Sequence, residues 1–191
     1  ASKIWKEKMD DVTDSQRKQA KQANFGIIYG ITTYGLAQRM GIENGEARQL
    51  IDDYFATFPK VKEYMEKAKE TARERGYAET MFGRRRYLPD INSRNGTVRG
   101  FAERNAINAP IQGSEADIIK LAMIRIWKRF KKEGIRSRMI LQVHDELNFS
   151  VYPDEAEKVE KIVIEEMQNA YSLSVPLIAE AGWGDNWLEA H

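Results

Sequence analysis

Apolar residues recur at a helical spacing along most of this chain, which predicts a mostly helical protein. Predicted helices run from about Ser15 to Thr33, Ala47 to Phe58, Pro59 to Ala72 with Gly76 as the stop, Phe101 to Lys132, and Pro153 to Ala170. We expect the long fourth helix to bend or restart near Pro110 and Gly113, because proline lacks an N–H donor and its ring clashes with the preceding turn. Ser114 and Asp117 are candidate caps for the second half of that helix.

After the long helix the spacing of apolar residues changes to two, which places Met139, Leu141 and Val143 on one face of a strand. A second strand is expected at residues 147–151, so that the two strands form a hairpin with acidic residues at its tip. Leu177 to Gly182 is a candidate third strand. The prediction is therefore an α+β fold, mostly helical, with a small antiparallel sheet and two lobes.

The composition narrows the possible chemistry. The chain contains no cysteine, which excludes disulfides, thiolate catalysis and cysteine-based zinc sites, and fits a reducing compartment such as the cytoplasm. Any metal must therefore bind to oxygen atoms or histidine. The 30 Lys and Arg residues against 29 Asp and Glu give a net charge of +1, so the distribution of charge says more about partners than its total. The least charged stretch, Gln22 to Gln38, is too short and polar to cross a membrane comfortably.

The first predicted helix carries Arg17, Lys21, Phe25 and Tyr29 at four-residue spacing, which places them on nearly one face. Two cations followed by two aromatic rings would suit a nucleoside triphosphate, whose phosphates need charged donors and whose sugar and base need a flat apolar surface. The two glycines of this helix would let a base pair approach its backbone closely. The same row is also compatible with a solvated basic end followed by two core aromatics.

The segment QVHDEL places Asp145 and Glu146 next to each other at the predicted hairpin tip. Adjacent carboxylates there could hold magnesium, which prefers a few carboxylates together with waters and substrate phosphates. Two-metal phosphoryl transfer would also require a bridging carboxylate on a separate, facing segment. Asp-Glu is common at solvated turns as well, and His144 is either a ligand or a structural hydrogen-bonding residue.

The region from Phe82 to Arg104 contains six arginines and two acidic residues, a surplus of four positive charges that would attract a phosphate backbone. Polar donors could also test base-pair shape from the minor groove, where every pair offers an acceptor. The candidate donors are Arg104, Asn108, Gln112 and Gln142. The alternative for the first three is a polar helix face in which Asn108 caps near Pro110.

Two segments resemble sequence motifs of the family A DNA polymerases. RKQAKQANFGIIYG at Arg17 to Gly30 resembles motif B, and QVHDEL at Gln142 to Leu147 resembles motif C, in the order and at the separation that the family has. FGRRRYLPDI and ERNAINAPIQGSEADIIK resemble the fingers-to-palm connector and the palm helix, and GWGDNWLEAH resembles a C-terminus of bacterial members. The resemblance implies a fingers lobe with the arginine-rich connector at residues 1–100 and a partial palm at residues 101–191.

The resemblance also implies a role for each matching residue. The implied nucleotide contacts are Arg17 and Lys21 on the triphosphate, and Phe25 and Tyr29 on the sugar and the nascent base pair. The implied catalytic residues are Lys21, Asp145 and Glu146, of which the two acidic residues would bind Mg²⁺. The implied contacts to primer–template DNA are Arg104, Asn108, Gln112, Gln142 and His144. Phe25 implies deoxynucleotide sugars, because members with tyrosine there accept dideoxynucleotides more readily. A cytoplasmic monomer without membrane contact is expected.

One family motif is missing from this sequence. Motif A, of the type D-Y-S-x-x-E-L-R, supplies the first metal-bridging aspartate, and Ala1 to Lys6 resembles sequence that follows it. Asp52-Asp53-Tyr54 lies in a predicted amphipathic helix and is not a substitute. We therefore expect an incomplete two-metal Mg²⁺ site, a fragment of a longer polymerase, and an isolated chain that is inactive. A catalytically silent nucleotide- or DNA-binding module is the alternative, whereas a metal phosphoesterase at the hairpin tip lacks the further ligands that such sites need.

Overall fold

The computed structural model describes residue 2 and residues 8–190, in which short antiparallel strands are set among helices. The helices are α1 (Asp14–Ile28), α2 (Thr33–Met40), α3 (Asn44–Thr57), α4 (Pro59–Arg75), α5 (Gly96–Glu133), α6 (Ala156–Gln168) and α7 (Trp187–Ala190). The strands are β1 (Tyr77–Glu79), β2 (Arg85–Tyr87), β3 (Arg138–Val143) and β4 (Glu146–Ser150). The α+β, mostly helical prediction is confirmed. The interpretation of Ala1 to Lys6 falls, apart from Ser2, outside the described residues.

The chain divides into two compact units, residues 1–111 and residues 112–191. This division lies eleven residues beyond the boundary expected between the fingers and palm lobes. The assignment of those lobe names to the two units stays a prediction.

The first predicted helix ends earlier than expected, and a second helix follows it. α1 ends at Ile28, and Gly30 adopts a left-handed φ of 74°, which turns the chain so that the next N–H groups bond back to the last carbonyls of the helix. Thr32 then caps α2, because its hydroxyl accepts a hydrogen bond from the N–H of Gly35 at 3.1 Å. The prediction of one helix as far as Thr33 is therefore wrong, and α2 was not predicted at all.

α1, α2 and α3 pack around one apolar core. Its buried members are Ala23, Ile27, Leu36, Ala37 and Ala47. Because α1 buries Ala23 and Ile27 in this core, the face that bears Lys21 and Phe25 is left at the surface.

A second core lies between α4, the β1–β2 hairpin and the first half of α5. Pro59 begins α4 and Gly76, with a φ of 76°, ends it, as the sequence predicts. The hydroxyl of Tyr64 donates to the carbonyl of Ile107 at 2.8 Å and joins α4 to α5, and burial raises the pKa of this tyrosine. The buried members of this core are Ala72, Ala78, Leu88, Ile91, Ala102 and Ala106.

α5 runs without a break through Pro110, so the predicted restart is wrong, whereas the predicted bend stays a prediction. Ser114 and Asp117 consequently lie inside the helix and do not cap it. Buried residues on both sides of the proline, such as Ala106 and Ile119, hold the helix against the loss of one backbone hydrogen bond. Although α5 is the longest helix, no helix among the described residues is both long and apolar enough to span a membrane.

β3 and β4 pair antiparallel, as predicted, but their register shifts between Met139 and Leu141. The extra residue is Ile140, which is 64% exposed. Met139 packs against the apolar core of the second unit, whereas Leu141 lies opposite Asn148. The prediction that Met139, Leu141 and Val143 share one face is therefore wrong, because the bulge interrupts the period of two.

The β3–β4 hairpin packs on α5 and α6 through a third core. The buried members of this core are Ile126, Phe130, Val159 and Ile162. The predicted third strand, Leu177 to Gly182, forms no ladder with any described strand, and Ile178 on it is 76% exposed. That prediction is wrong because an alternating pattern does not by itself provide a partner edge.

Glu155 fixes the beginning of β3. Its carboxylate accepts hydrogen bonds from the N–H of Arg136 at 3.0 Å, and from the N–H and hydroxyl of Ser137 at 2.8 and 2.6 Å. The same hydroxyl accepts a bond from the N–H of Tyr152 at 3.0 Å, which holds the two ends of the hairpin together. These hydrogen bonds, led by that of the Ser137 side chain, lower the pKa of Glu155 to about 2.

The chain folds back on itself over residues 182–190. Asn186 begins α7, accepting from the N–H of Glu189 at 3.2 Å and donating to its carboxylate at 2.6 Å. Gly182 and Gly184 lie against the returning backbone. A Cβ added at Gly184 would lie 2.7 Å from the Cβ of Glu189, and one at Gly182 would overlap the last described carbonyl. This turn therefore requires glycine at both positions.

Candidate nucleotide-binding and metal-binding sites

The row on α1 that was predicted from four-residue spacing lies at the surface. The rings of Phe25 and Tyr29 stack, with centroids 6.3 Å apart and planes 18° from parallel. Nζ of Lys21 lies 6.0 Å from the centroid of the Phe25 ring, and Arg17 is exposed one turn earlier. Because Phe25 is 45% exposed, the alternative in which both aromatics are core residues is wrong. The row presents two cations beside an aromatic surface.

Both ends of α1 are fixed by local contacts, a pair of hydrogen bonds at its start and close packing near its end. At its start Thr13 and Gln16 form a capping box, in which each side chain bonds to the backbone N–H of the other. Near its end Gly26 is buried, and a Cβ there would lie 3.3 Å from the side chain of Ile31. The expectation that both glycines open the helix to a base pair is therefore wrong for Gly26, which makes room for the returning chain.

A cavity of about 300 Å³ lies beside this row. It is lined by Lys18, Lys21, Gln22, Phe25 and Arg39. Sequence reasoning missed Arg39, because this residue belongs to α2 and that helix was not predicted. Predicting a helix at residues 33–40 would have placed Arg39 near the row, since two helices joined by a short loop pack beside each other.

Part of the arginine-rich connector is used inside the protein. Nε of Arg85 lies 2.9 Å from the carboxylate of Glu79 on the neighbouring strand, and Arg99 donates to a backbone carbonyl at 2.9 Å. The hydrogen bond with Glu79 is the main reason that the pKa of Arg85 is raised. Arg86 and Arg94 are exposed and form no ion pair with a described residue. The positive charge still available to a phosphate backbone is therefore smaller than the sequence suggests.

The candidate DNA-contacting donors lie on two elements. Arg104, Asn108 and Gln112 follow one another at four-residue spacing along α5, which keeps them on one side of that helix. Asn108 is inside the helix, so the alternative in which it acts as a cap is wrong, and its Oδ1 is buried without a hydrogen-bond partner among the described residues. Gln142 donates to the carbonyl of His144 at 2.5 Å, so its amide is engaged within the hairpin.

His144 and Asp145 form the two-residue tip of the β3–β4 hairpin, after the last paired residues Val143 and Glu146. His144 adopts a φ of 52°, the left-handed conformation that tight hairpin turns use at their first position. Asp145 is exposed and Glu146 is half-buried. The predicted acidic tip is confirmed, and its aspartate is accessible from solvent.

The carboxylate of Glu146 accepts a hydrogen bond from the C-terminal turn, the segment of residues 182–190 that folds back on itself. Nε1 of Trp187 donates to its Oε2 at 3.3 Å. Trp183, on the same turn, donates to the carboxylate of Glu160 on α6 at 2.7 Å and anchors the turn to that helix. Sequence reasoning missed Trp187 because a contact 41 residues away leaves no local pattern.

Among the described residues, no group of three or more His, Asp or Glu side chains is arranged to hold a metal ion. Asp145 and Glu146 offer the hard oxygen ligands that magnesium prefers, but a two-metal site needs a bridging carboxylate besides them. Asp52 and Asp53 lie on α3, as the sequence predicts, and Asp53 accepts a hydrogen bond from Gln49 at 2.8 Å. The described residues thus fit one part of a magnesium site.

Comparison with known proteins places these features in a family. The family model for DNA polymerase family A matches residues 1–189. DNA polymerase I of Streptococcus pneumoniae serotype 4 is 51% identical over 184 residues, which are 96% of this chain and 21% of that protein. DNA polymerase I of Bacillus caldotenax is 50% identical over 190 residues, which are 100% of this chain and 22% of that protein. The chain spans about a fifth of the length of these relatives.

A solved structure agrees with the sequence comparison. It is the POL domain of Pol1 from M. smegmatis in complex with DNA primer–template and dNTP, and it matches this chain with a TM-score of 0.94 and 46% identity. The match covers 99% of this chain and 33% of that one. The motif order, the fold and the relatives all lead to one conclusion, that this chain belongs to DNA polymerase family A.

Proposed function

We propose that this chain supplies the nucleotide-binding helix and one metal-binding carboxylate pair of a template-directed DNA polymerase. In that reaction the primer 3′-hydroxyl attacks the α-phosphate of a deoxynucleoside triphosphate, a new phosphodiester bond forms, and pyrophosphate leaves. The observation that carries the proposal is the exposed row on α1, where Lys21 lies against a stacked aromatic pair. A nucleotide needs this combination of cation and flat apolar surface at one place.

Each residue of the row has a distinct task in this proposal. Arg17 and Lys21 donate charge-assisted hydrogen bonds to the triphosphate and hold it in line for attack. Phe25 and Tyr29 pack against the sugar and the nascent base pair, which fixes the α-phosphate relative to the primer. Positioning of this kind accounts for most of the rate in phosphoryl transfer.

The hairpin tip of the second unit has its own proposed task. Asp145 and Glu146 would hold magnesium, which when bound neutralises the charge that develops on the phosphates. His144 would lie near the primer terminus. The residues proposed to follow the primer–template are Arg104, Asn108, Gln112 and Gln142. The bound DNA and dNTP named for the M. smegmatis structure support these partners. A cytoplasmic, monomeric protein remains our expectation.

For the isolated chain we infer a second function, that of a catalytically silent module that binds nucleotide or DNA. This inference rests on the sequence, because no segment of the type D-Y-S-x-x-E-L-R occurs in the 191 residues. Without the bridging aspartate of that motif the two-metal site is incomplete, and the developing negative charge is not stabilised.

Primer extension tests both proposals. We would compare this chain, its Asp145→Ala variant and a longer polypeptide that includes the upstream motif, each with magnesium and all four deoxynucleotides. The matched control is Glu157→Ala, an exposed acidic residue of the same unit that forms no described ion pair. We expect extension by the longer polypeptide only, with a loss of at least about a thousandfold when Asp145 is replaced. Extension by the short chain that depends on Asp145 would contradict the inferred silence of the fragment.

A further inference from the structure

The cavity beside α1 contains more positive charge than the predicted nucleotide contacts account for. Lys18, Lys21 and Arg39 all line it, and no acidic residue does. None of these three side chains forms an ion pair with a described residue, although Lys21 lies near the Phe25 ring. Of the three, only Lys21 belongs to the four-residue row.

The packing of α2 with α1 and α3 places Arg39 at this cavity. Leu36 and Ala37 of α2 are buried in the core that this helix shares with α1 and α3, at 0% and 4% exposure, so the position of α2 is fixed by the core. Arg39 follows two residues later, in the last turn of α2, and its side chain is exposed. Gly41 then ends the helix with a φ of 66°. The guanidinium thus extends from a rigid element and not from a loop.

Three cations around one concave surface repel one another, and a bound anion with several negative oxygens relieves that repulsion. A guanidinium is suited to such an anion because its planar fork donates two parallel hydrogen bonds to a phosphate. Phe25 lines the same cavity, so this charge is continuous with the surface proposed for the nucleotide.

We propose that Arg39 is a further phosphate-binding side chain of this site, acting from α2 together with Lys18 and Lys21 on α1. The phosphates would belong either to the incoming triphosphate or to the backbone of the template strand. This inference rests on the proposed function of α1 as the nucleotide-binding helix.

The test is a set of binding measurements on the 191-residue chain. Calorimetry would give the affinities for a deoxynucleoside triphosphate and for the matching monophosphate, and fluorescence anisotropy would give the affinity for a primer–template with a single-stranded overhang. Arg39→Gln is compared with Arg48→Gln, which removes an exposed arginine of α3 outside the cavity. Circular dichroism confirms that both variants fold.

We expect Arg39→Gln to lower the affinity for the triphosphate or for the primer–template by about fivefold or more. Arg48→Gln should leave both affinities unchanged. Loss for the triphosphate with no loss for the monophosphate assigns Arg39 to the nucleotide, and loss for the overhang alone assigns it to the template strand. Unchanged affinity for both ligands would overturn the inference. The Lys21→Ala variant distinguishes a failure of the proposed function from a failure of this inference. If Lys21→Ala and Arg39→Gln both bind the triphosphate normally, the proposed function of α1 fails. If Lys21→Ala loses affinity and Arg39→Gln does not, only the role of Arg39 fails.

Discussion

Lys21 is the residue on which the interpretation of α1 depends most. It lines the cavity and also lies 6.0 Å from the ring of Phe25, so it joins the charged part of the site to the aromatic part. Lys18 also lines the cavity and Lys62 lies 5.9 Å from the ring of Phe55, but among the described lysines only Lys21 has both neighbours. The geometry therefore distinguishes Lys21 from the other exposed lysines of the first unit.

We predict that Lys21→Ala raises the dissociation constant for a deoxynucleoside triphosphate by about tenfold, because one charge-assisted hydrogen bond to phosphate is lost. Calorimetry on the isolated chain measures this directly. Lys67→Ala, which removes an exposed lysine of α4, is the control and should bind normally. An equal effect of the two substitutions would mean that only the total charge of the chain matters.

Trp187 is expected to set the position of the Glu146 carboxylate. Trp187→Phe keeps an aromatic side chain but removes the N–H that donates at 3.3 Å, so the carboxylate gains freedom. In a longer polypeptide with the upstream motif, we expect primer extension to require several times more magnesium. Trp183→Phe removes the other indole hydrogen bond, to Glu160, and should leave the magnesium dependence unchanged. The same shift in both variants would indicate a general loosening of the turn.

At the scale of elements, local signals predicted the boundaries that local chemistry determines. Pro59 and Gly76 bound α4 because one fixes φ and the other accepts a positive φ. The tip at His144 and Asp145 follows from two strands with an acidic turn between them. Sequence reasoning failed for the elements whose position is determined by tertiary packing. The beginning of α2 depends on the turn after Gly30. The bulge at Ile140 depends on which side chains of β3 pack in the core.

α5 is another element whose course depends on packing and not on local sequence signals, and it provides a test. Pro110 removes one backbone hydrogen bond from a helix that buried residues hold on both sides. We predict that Pro110→Ala raises the free energy of unfolding by about 1–3 kcal/mol, because the donor is restored and the ring is gone. Urea denaturation measures it, with the exposed Glu115→Ala as a control within about 0.5 kcal/mol of the wild type. A loss of stability in the proline variant would mean that the ring itself makes a necessary contact.

The hydrogen bonds to Glu155 predict how the β3–β4 hairpin responds to acid. The pKa of this carboxyl falls from 4.5 to about 2 on folding, so its contribution to stability is complete above pH 4.5 and is lost as the pH falls towards 2. Glu155→Gln should therefore be less stable than the wild type at pH 7, and the difference should shrink below pH 4.5. Thermal unfolding at a series of pH values measures it. Glu157→Gln, an exposed neighbour, should follow the wild type throughout.

At the scale of the whole molecule, a net charge of +1 means that the proposed DNA binding would depend on where the cations lie. Arg86 and Arg94 are the connector arginines that are exposed without a described ion pair. If each neutralises a phosphate, replacing both with glutamine should reduce the slope of log affinity against log salt by about 1–2. Anisotropy titrations of the chain with duplex DNA measure that slope. Lys60→Gln, an exposed cation of α4, is the control, and an unchanged slope in the double variant would exclude these arginines.

The order of motifs along the whole chain identified its family, because several weak patterns had to occur together. The same reasoning could not find Arg39 or Trp187, since each reaches its site from another element through tertiary packing. A motif records the residues that neighbour one another in sequence. The residues that complete a site from a distance become visible only when the core that positions them is known.

The two glycines of the C-terminal turn have a consequence for mutational tolerance. Every single-base change in a glycine codon that alters the amino acid introduces a Cβ or ends the chain. At Gly182 and Gly184 that atom has no room, whereas at Gly45 nothing lies within 4 Å. In a deep mutational scan, nearly all missense variants at positions 182 and 184 should therefore be depleted, whereas most missense variants at position 45 should be retained.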